Sequence, residues 1–181
     1  MNEQIVNEIS KCVQTLREGG FIIFPNEIGW CIGCYLTDTE NVNKLAAGDY
    51  EFGSVLLEDE GKLGKYVKVL PDTIWDLIQF STKPMILWLQ GAVNLSPALI
   101  TESGEAAFRI PKDEFTNVLL HKAGKPIYAA LLPVQEQPAK TTSILNKPGF
   151  VVNLRLSQKA NTDELVVMSL TPSGQISFLK K

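Results

Sequence analysis

The sequence predicts an α/β fold, and two observations carry the prediction. Roughly seven or more short apolar or alternating segments have the length of β-strands, and about four segments with helical spacing lie between them. The chain has 181 residues, of which 45% are hydrophobic and 20% charged, as is ordinary for a soluble protein. That length suffices for a full core, so residues 1–181 are expected to form a single domain.

The N-terminal half of the chain alternates helices and strands. Its first helix is amphipathic, is capped by Asn2 and ends at Gly19. Pro25-Asn26 is expected to turn the chain between two short strands, and Asp38 or Thr39 caps the next helix. In order, the predicted elements are a helix at 2–18, strands at 21–24 and 30–36, a helix after Asp38, a strand at 54–57, a weak helical turn at 60–66, and a helix from Pro71 in which Ile74, Trp75, Leu77 and Ile78 face inward.

The C-terminal half is richer in strands. Lys83-Pro84 breaks the third helix, and the continuous apolar segment that follows is typical of a fully buried strand. Asp113 caps a fourth helix, which Gly124 ends. In order, the predicted elements are strands at 85–89 and 106–110, a helix with Phe115, Val118 and Leu119 inside, a strand at 127–132, a polar loop at 133–140, and strands at 150–156, 165–170 and 176–179. A Pro-Ser-Gly turn at 172–174 makes the terminal strands antiparallel.

The stretch from Gly19 to Gly33 is expected to form the rim of a cleft. It places two buried strands on either side of a sharp turn with a polar tip, an arrangement that α/β proteins commonly use at ligand sites. Asn26 and Glu27 stand at that tip and are candidate ligand-binding residues. The carboxylate of Glu27 is suited to holding a hydroxyl, an amine or a metal-bound water, and the alternative is a solvated turn residue.

Charge and cysteine content exclude several classes of function. The net charge is −3 and the pI about 5.3, which argues against a nonspecific nucleic-acid binder. Cys31 and Cys34 form a C-x-x-C, but in a strand their thiols point to opposite faces, so buried apolar cysteines are expected and a metal site is not. The sequence shows no signal peptide and no apolar segment of the roughly 20 residues that a membrane helix needs. These features predict a cytoplasmic protein with reduced thiols and no membrane partner.

The order of several motifs resembles the YrdC family, the threonylcarbamoyl-adenylate synthases. The motifs are the G-G-apolar-P stretch with its following glycines, a P-G-P segment, R-x-P and a later strand; here they correspond to Gly19 to Gly33, Thr82-Lys83-Pro84, Arg109-Ile110-Pro111 and Gly124 to Ala130. The resemblance implies a twisted, mixed, largely antiparallel sheet with flanking helices around a concave cavity. It further implies that ATP with Mg²⁺, threonine and bicarbonate bind there, and that transfer RNA or double-stranded RNA is a partner.

The chain departs from the family where the chemistry would take place. The family's T-D-T-x-Y falls on Asn26 to Trp30, its K-x-R on Ala47-Gly48-Asp49, the next lysine on Gly53, the threonine after P-G-P on Ile86, S-A-N on 131–133 and the late S-T on Leu165-Val166. Adenylation needs fixed cations around phosphate, so each lost contact would cost on the order of 2–4 kcal/mol. Among the polar groups Arg109 persists, and Lys180 is expected to stand in for a late arginine.

Arg109 is the strongest remaining candidate. It is expected either to anchor a phosphate or carboxylate or to serve as a structural arginine between strand and helix ends. Trp30 either stacks on a base or belongs to the core, whereas Trp75 and Trp88 belong to the core by their pattern. Lys83 either contacts an anion or is simply solvated.

These residues are compatible with three functions. The first is a protein of the synthase type that binds nucleotide, RNA or both, with catalysis weakened or lost; if active, it would be a nucleotidyltransferase. In that protein Arg109 would hold a phosphate or carboxylate, and Asn26 and Glu27 would hydrogen-bond the substrate. The second is a non-catalytic binding or scaffold protein that kept the fold. The third is an enzyme repurposed to another small anionic ligand.

Overall fold

The computed structural model describes residues 1–133, 143–155 and 158–180. Its helices are α1 (Glu3–Arg17), α2 (Thr39–Ala47), α3 (Thr73–Phe80) and α4 (Glu114–Ala123), with short 3-10 helices at Glu60–Lys65 and Pro97–Leu99. Its strands are β1 (Phe21–Asn26), β2 (Gly29–Tyr35), β3 (Glu51–Leu56), β4 (Met85–Gln90), β5 (Glu105–Arg109), β6 (Ile127–Leu131), β7 (Ser143–Ile144), β8 (Lys147–Val151), β9 (Val166–Leu170) and β10 (Ile176–Lys180).

All ten strands belong to one sheet, in the order β10-β9-β4-β5-β3-β6-β2-β1-β8-β7. Six pairings among the described strands are antiparallel, and three, β1 with β8, β3 with β5 and β4 with β9, are parallel. The last two strands form an antiparallel hairpin. The predicted α/β fold with a twisted, mixed, largely antiparallel sheet is therefore confirmed.

The strand register shows which side chains share a face near the middle of the sheet. Trp88 pairs with Ala107, and Ile86 pairs with Val167; paired residues point to the same face. Arg109 follows Ala107 by two residues on β5 and therefore lies on that face too. We call the face that carries Ile86, Trp88, Val167 and Arg109 the cavity face.

The helices flank the sheet and use the caps that the sequence predicts. α1 packs against α4, β1 and β8, and α2 packs against β2 and β6. Side-chain oxygens of Asn2, Asp38 and Asp113 accept hydrogen bonds from the first turns of their helices, and Gly124 ends α4 with a φ of 69°. Both kinds of cap supply partners for backbone groups that a helix end leaves unpaired. None of the described helices combines the length and the apolar character that crossing a membrane requires.

The first turn lies later in the chain than predicted. β1 continues through Pro25 and Asn26, and Glu27-Ile28 form the turn. The carbonyl of Ile23 accepts a hydrogen bond from the backbone N–H of Val152. The backbone nitrogen of Pro25, two residues later in the same strand, therefore faces the same side as that carbonyl. The register with β8 ends at Ile23, and the missing N–H of Pro25 therefore removes no hydrogen bond from that ladder.

Several other predicted elements were also wrong in part. Trp75 is 40% exposed, because it lies on the outer side of α3 while Ile74 and Ile78 supply the buried side. α3 begins at Thr73, so Pro71 precedes the helix. The strand predicted at 150–156 is β8, at Lys147–Val151, and the short strand β7 before it was not predicted. Within the polar loop predicted at 133–140, residues 134–140 lie outside the described ranges.

Candidate functional site

Glu27 and Arg109 form a buried ion pair between the β1–β2 turn and the end of β5. Arg109 Nη1 lies 3.6 Å from Glu27 Oε1, and the two side chains are 0% and 14% exposed, respectively. Glu27 Oε2 accepts a hydrogen bond of 3.1 Å from the backbone N–H of Lys112. Both acid and guanidinium are candidates from the sequence, and the fold brings them together although they are far apart along the chain.

The guanidinium of Arg109 lacks the hydrogen bonds that a buried cation normally has. Within residues 1–133, 143–155 and 158–180, no partner is found for its Nε, Nη1 or Nη2. The separation of 3.6 Å from Glu27 is longer than a hydrogen bond. Burying such a charge is costly unless it is both paired and hydrogen-bonded. Because its five donors form a planar fork that matches a carboxylate or phosphate, Arg109 is suited to anchor one such group.

Two carboxyl groups, those of Glu27 and Asp113, influence each other at this site. Burial is the strongest influence on Glu27 and raises the pKa of its carboxyl above 4.5, against the opposing effects of Arg109 and the Lys112 N–H. Asp113 also raises the pKa of Glu27; it caps α4 through Oδ2, which lies 3.5 Å from Arg155 Nη1. The site thus consists of a buried guanidinium and a neighbouring carboxyl group, that of Glu27, whose pKa is raised.

Asn26 stabilises the turn from inside. The residue is fully buried; its Oδ1 accepts a hydrogen bond of 3.0 Å from the backbone N–H of Ile28, and its Nδ2 donates one of 3.2 Å to Cys31 Sγ. Cys31 is buried as well, and burial raises the pKa of its thiol to about 11. Both ends of the Asn26 amide are therefore engaged within the protein, and the side chain holds the turn that presents Glu27.

A cavity of about 320 Å³ opens on the cavity face. Its lining consists of Phe52, Gly53, Ile86, Trp88, Val167, Leu179 and Lys180. β4 and β5 are neighbours in the sheet, and the register places Ile86 one residue beyond the Leu87–Phe108 pair, on the side of Arg109. Ile86 of the cavity wall is therefore a neighbour of Arg109 in the sheet, and Arg109 and Glu27 themselves are not among the residues that line the cavity. The cavity wall is predominantly apolar, and Lys180 is the charged residue in it.

Lys180 reaches the cavity, but its ammonium group has backbone partners. Nζ donates hydrogen bonds to the carbonyl oxygens of Thr162 and Leu165. These bonds tie the end of β10 to the segment that leads into β9. The side chain would have to leave both carbonyls before it met a ligand anion.

The positions at which the family resemblance places phosphate-binding cations carry none among the described residues. Ala47, Gly48 and Asp49, which stand at the family's K-x-R, are exposed at the end of α2 and include no cation. Gly53 stands at the next lysine of the family, and a Cβ there would run into the Tyr128 hydroxyl. Within the described ranges, no cluster of three or more His, Cys, Asp and Glu side chains is placed to hold a metal. Adenylation requires cations at the phosphates, and these positions supply none.

Two further candidates lie away from the cavity. Lys83 borders a groove together with Met85 and Met168, and the register places these methionines on the face opposite the cavity. Trp30 is fully buried and belongs to the hydrophobic core, in agreement with one of its two interpretations. The prediction that Trp88 belongs to the core was only partly right, because that side chain is partly exposed and lines the cavity.

Phe52 and Tyr128 were not identified from the sequence. Phe52 has a φ of 51° in a bulge of β3, where the register with β6 shifts between Glu51 and Ser54. Burial raises the pKa of Tyr128 to about 12, and its hydroxyl fills the space beside Gly53. A glycine in a strand indicates a bulge or a close approach of another group, so Gly53 was the available signal. It could not name the tyrosine, which lies far along the chain.

The chain is similar to one protein family along most of its length. Residues 14–180 match the profile of the Sua5/YciO/YrdC family, which carries the description telomere recombination. A protein of Haemophilus influenzae, described as uncharacterized, is 24% identical over 142 residues, which cover 75% of this chain and 68% of that protein.

Solved structures show the same fold. YciO of E. coli gives a TM-score of 0.72 at 18% identity, with 100% of this chain and 91% of that chain covered. Sua5 of P. abyssi complexed with L-threonine gives a TM-score of 0.64 at 17% identity, with 90% of this chain and 50% of that chain covered. The chain thus matches about half of Sua5. Together with the profile match, the shared fold shows that the chain belongs to the Sua5/YciO/YrdC family and is related to the threonylcarbamoyl-adenylate synthases.

Proposed function

We propose that this protein binds a small carboxylate or phosphate ligand through Arg109, and that ATP-dependent adenylation is weakened or lost in it. The observation that carries the proposal is the Arg109 guanidinium, fully buried and without a hydrogen-bond partner among the described residues. A ligand carboxylate would supply two parallel N–H···O bonds at that position. It would satisfy the guanidinium better than Glu27, whose Oε1 lies 3.6 Å away.

A single carboxylate or phosphate group suits this site better than a triphosphate. Arg109 is one cation, and the ammonium of Lys180 already donates to two carbonyl oxygens. Asp49 adds a negative charge at a position where the family resemblance places a cation. The relative Sua5 has been solved with L-threonine, and the carboxylate of an amino acid is the kind of group that Arg109 would hold. Threonine is therefore the first ligand to test.

The second candidate is the family reaction itself, in which ATP with Mg²⁺, threonine and bicarbonate would be the reactants. Family membership favours it, as does the R-x-P at Arg109. Transfer RNA or double-stranded RNA would be its partner, although the net charge of −3 opposes nonspecific binding. A scaffold protein that kept the fold and binds no small ligand is the remaining alternative.

The proposal is tested by calorimetric titration of the whole chain with L-threonine and with ATP. We expect L-threonine to bind and Arg109→Gln to abolish the binding. Glu27→Gln should strengthen it, because that change removes the internal carboxylate that competes for Arg109. Lys62→Gln is the matched control, since Lys62 belongs to an exposed ion pair with Glu58.

Three other readouts separate the alternatives. Release of pyrophosphate from ATP that depends on threonine and bicarbonate would establish the synthase reaction and overturn the loss of adenylation. Salt-dependent binding of transfer RNA would support an RNA partner. If neither L-threonine nor simple carboxylates bind at millimolar concentration to the wild type or to Glu27→Gln, the proposed anion site is refuted and the scaffold alternative stands.

A further inference from the structure

We propose that the ligand of this site carries an apolar group, branched aliphatic or aromatic, which packs in the cavity against Ile86, Trp88 and Val167 while its carboxylate meets Arg109. The inference rests on the proposed function, which supplies the anionic group of the ligand. It adds that the remaining part of the ligand is apolar. The ligand is then a small apolar carboxylate, a different class from a nucleotide.

The wall of the cavity favours apolar groups of a ligand. Ile86, Val167 and Leu179 offer no hydrogen bonds, and the ammonium of Lys180 is bonded to backbone carbonyls. A hydroxyl or phosphate placed against such a wall would lose its water partners without replacement, which is costly. An aliphatic or aromatic group would instead gain from leaving water. The wall therefore favours apolar groups of a ligand over polar ones.

The family resemblance places polar side chains at positions that are apolar or bare in this cavity. A threonine falls on Ile86 and a lysine on Gly53. Both Ile86 and Gly53 line the cavity. Tyr128 fills the space beside Gly53, where a lysine side chain would begin. At both positions the cavity lacks a polar side chain that the family pattern would supply, and at Ile86 an apolar side chain takes its place.

Phe52 supplies an independent indication that this wall is built for a ligand. It lines the cavity with a φ of 51° in the bulge of β3. Residues other than glycine rarely adopt positive φ, and a strained backbone of this kind clusters at ligand sites, where bulges re-aim side chains. The bulge aims an aromatic side chain into a cavity that already holds Trp88.

The dimensions of the site agree with a small ligand. The cavity of about 320 Å³ stands at the lower end of the range of pockets that hold small molecules, roughly 300–1,000 Å³. Ile86 shares the cavity face with Arg109 on the neighbouring strand, and such positions on adjacent strands are about 5 Å apart. A carboxylate separated from its apolar group by one or two carbons spans this distance.

The experiment is a calorimetric titration of the whole chain with acetate, isovalerate and phenylacetate. Each methylene-sized group that enters the cavity should lower the dissociation constant about fourfold. Isovalerate and phenylacetate should therefore bind about tenfold or more tightly than acetate. Phenylethanol, which keeps the ring and lacks the carboxylate, should bind much more weakly than phenylacetate.

Two variants test the cavity wall against a matched control. Trp88→Ala should weaken phenylacetate by about tenfold and leave acetate unchanged, whereas Trp75→Ala, on the exposed side of α3, should change neither. Ile86→Thr places a hydroxyl in the wall and should weaken isovalerate without creating ATP binding. Circular dichroism shows whether each variant is folded. If Trp88→Ala does not fold, Ile86→Thr still tests the cavity wall.

The possible results distinguish failure of the proposed anion site at Arg109 from failure of the proposed apolar cavity. If all three carboxylates bind equally and Arg109→Gln abolishes their binding, the apolar cavity is refuted and the proposed function stands. If none binds, or if binding survives in Arg109→Gln, the proposed function is refuted and this inference with it. If phenylethanol binds as tightly as phenylacetate and Trp88→Ala abolishes both, the cavity is apolar as inferred, and the role of Arg109 is refuted.

Discussion

Arg109 Nη1 lies 3.6 Å from Glu27 Oε1, with the arginine side chain fully buried and the glutamate side chain 14% exposed. The pair connects the end of β5 to the turn between β1 and β2. The distance between these two atoms is longer than a hydrogen bond. The pair is therefore held by attraction between the two charges and lacks the two parallel hydrogen bonds of a bidentate pair. The relationship has consequences for both stability and ligand binding.

Removal of the guanidinium is expected to destabilise the fold strongly. Arg109→Met leaves the buried Glu27 carboxyl without its cation, and breaking a buried pair in this way costs about 3–5 kcal/mol. The free energy of unfolding, measured by urea denaturation, should fall by that amount. The double variant Arg109→Met/Glu27→Gln should recover part of the loss, because no charge then remains unpaired.

The matched control for this prediction is the exposed pair Lys62–Glu58. Its side chains are 49% and 31% exposed, and exposed pairs contribute about 0–1 kcal/mol. Lys62→Met should therefore change the free energy of unfolding little. Equal losses for Arg109→Met and Lys62→Met would show that Arg109 is solvated in solution, contrary to the structure.

The raised pKa of Glu27 predicts a pH dependence of stability with a definite sign. Burial raises this pKa above 4.5, so the unfolded state ionises Glu27 at lower pH than the folded state does. The stability that this carboxyl contributes is present below its ordinary pKa and is lost as pH rises through the raised one. Glu27→Gln cannot ionise, and its free energy of unfolding relative to wild type should therefore increase between pH 4 and pH 7.

Glu40→Gln is the control of opposite sign. Hydrogen bonds from Lys147 and Lys44 lower the pKa of Glu40 below 4.5, so its contribution is present above the ordinary pKa and is lost as pH falls. Relative to wild type, Glu40→Gln should become less stable as pH rises over the same interval. Urea denaturation at pH 4, 5, 6 and 7 compares the two variants directly. Parallel curves for Glu27→Gln and wild type would contradict the raised pKa.

Features set by local chemistry were predictable from the sequence. The caps by Asn2, Asp38 and Asp113 and the helix end at Gly124 all depend on residues within one helical turn, and all are found. The orientation of Trp75 was not predictable. Five of the eight residues of its helix are apolar and they are spread around the helix, so the pattern does not single out one face, and only the packing of α3 decides which residues are covered.

The site was predictable in its members but not in its arrangement. Glu27 was identified by its position at a turn and Arg109 by its motif, yet nothing in the sequence gives the distance between them. Asn26 was expected to face a ligand and instead serves the turn and Cys31. Lys83 had two interpretations, anion contact or solvation, and its side chain is exposed beside the groove that Met85 and Met168 line. Such placements depend on the order of strands in the sheet, which local patterns do not determine.

The three thiols are expected to be unreactive in the folded protein. Cys12, Cys31 and Cys34 are free and buried. Burial raises the pKa of all three, that of Cys31 to about 11, and the thiolate is the reactive form. Iodoacetamide at pH 7.5 should label none of them in the native protein and all three in 6 M guanidinium chloride, as counted by mass spectrometry. Rapid native labelling of Cys31 would show that the β1–β2 turn opens in solution.

The contact between residue 53 and Tyr128 explains why position 53 carries no lysine, and it is open to a direct test. A Cβ at Gly53 would run into the Tyr128 hydroxyl, so Gly53→Ala should lower the free energy of unfolding by about 1–3 kcal/mol through overpacking. Tyr128→Phe removes that hydroxyl while the ring carbon Cζ stays 3.0 Å from the new Cβ. The double variant should therefore recover part of the loss.

Gly64→Ala is the control for the same chemical change, because a Cβ at Gly64 meets nothing within 4 Å. It should leave the free energy of unfolding unchanged or raise it slightly. If Gly53→Ala proves as harmless as Gly64→Ala, the Tyr128 ring is able to move aside, and the absence of a lysine at this position then has a cause other than the space that the ring occupies.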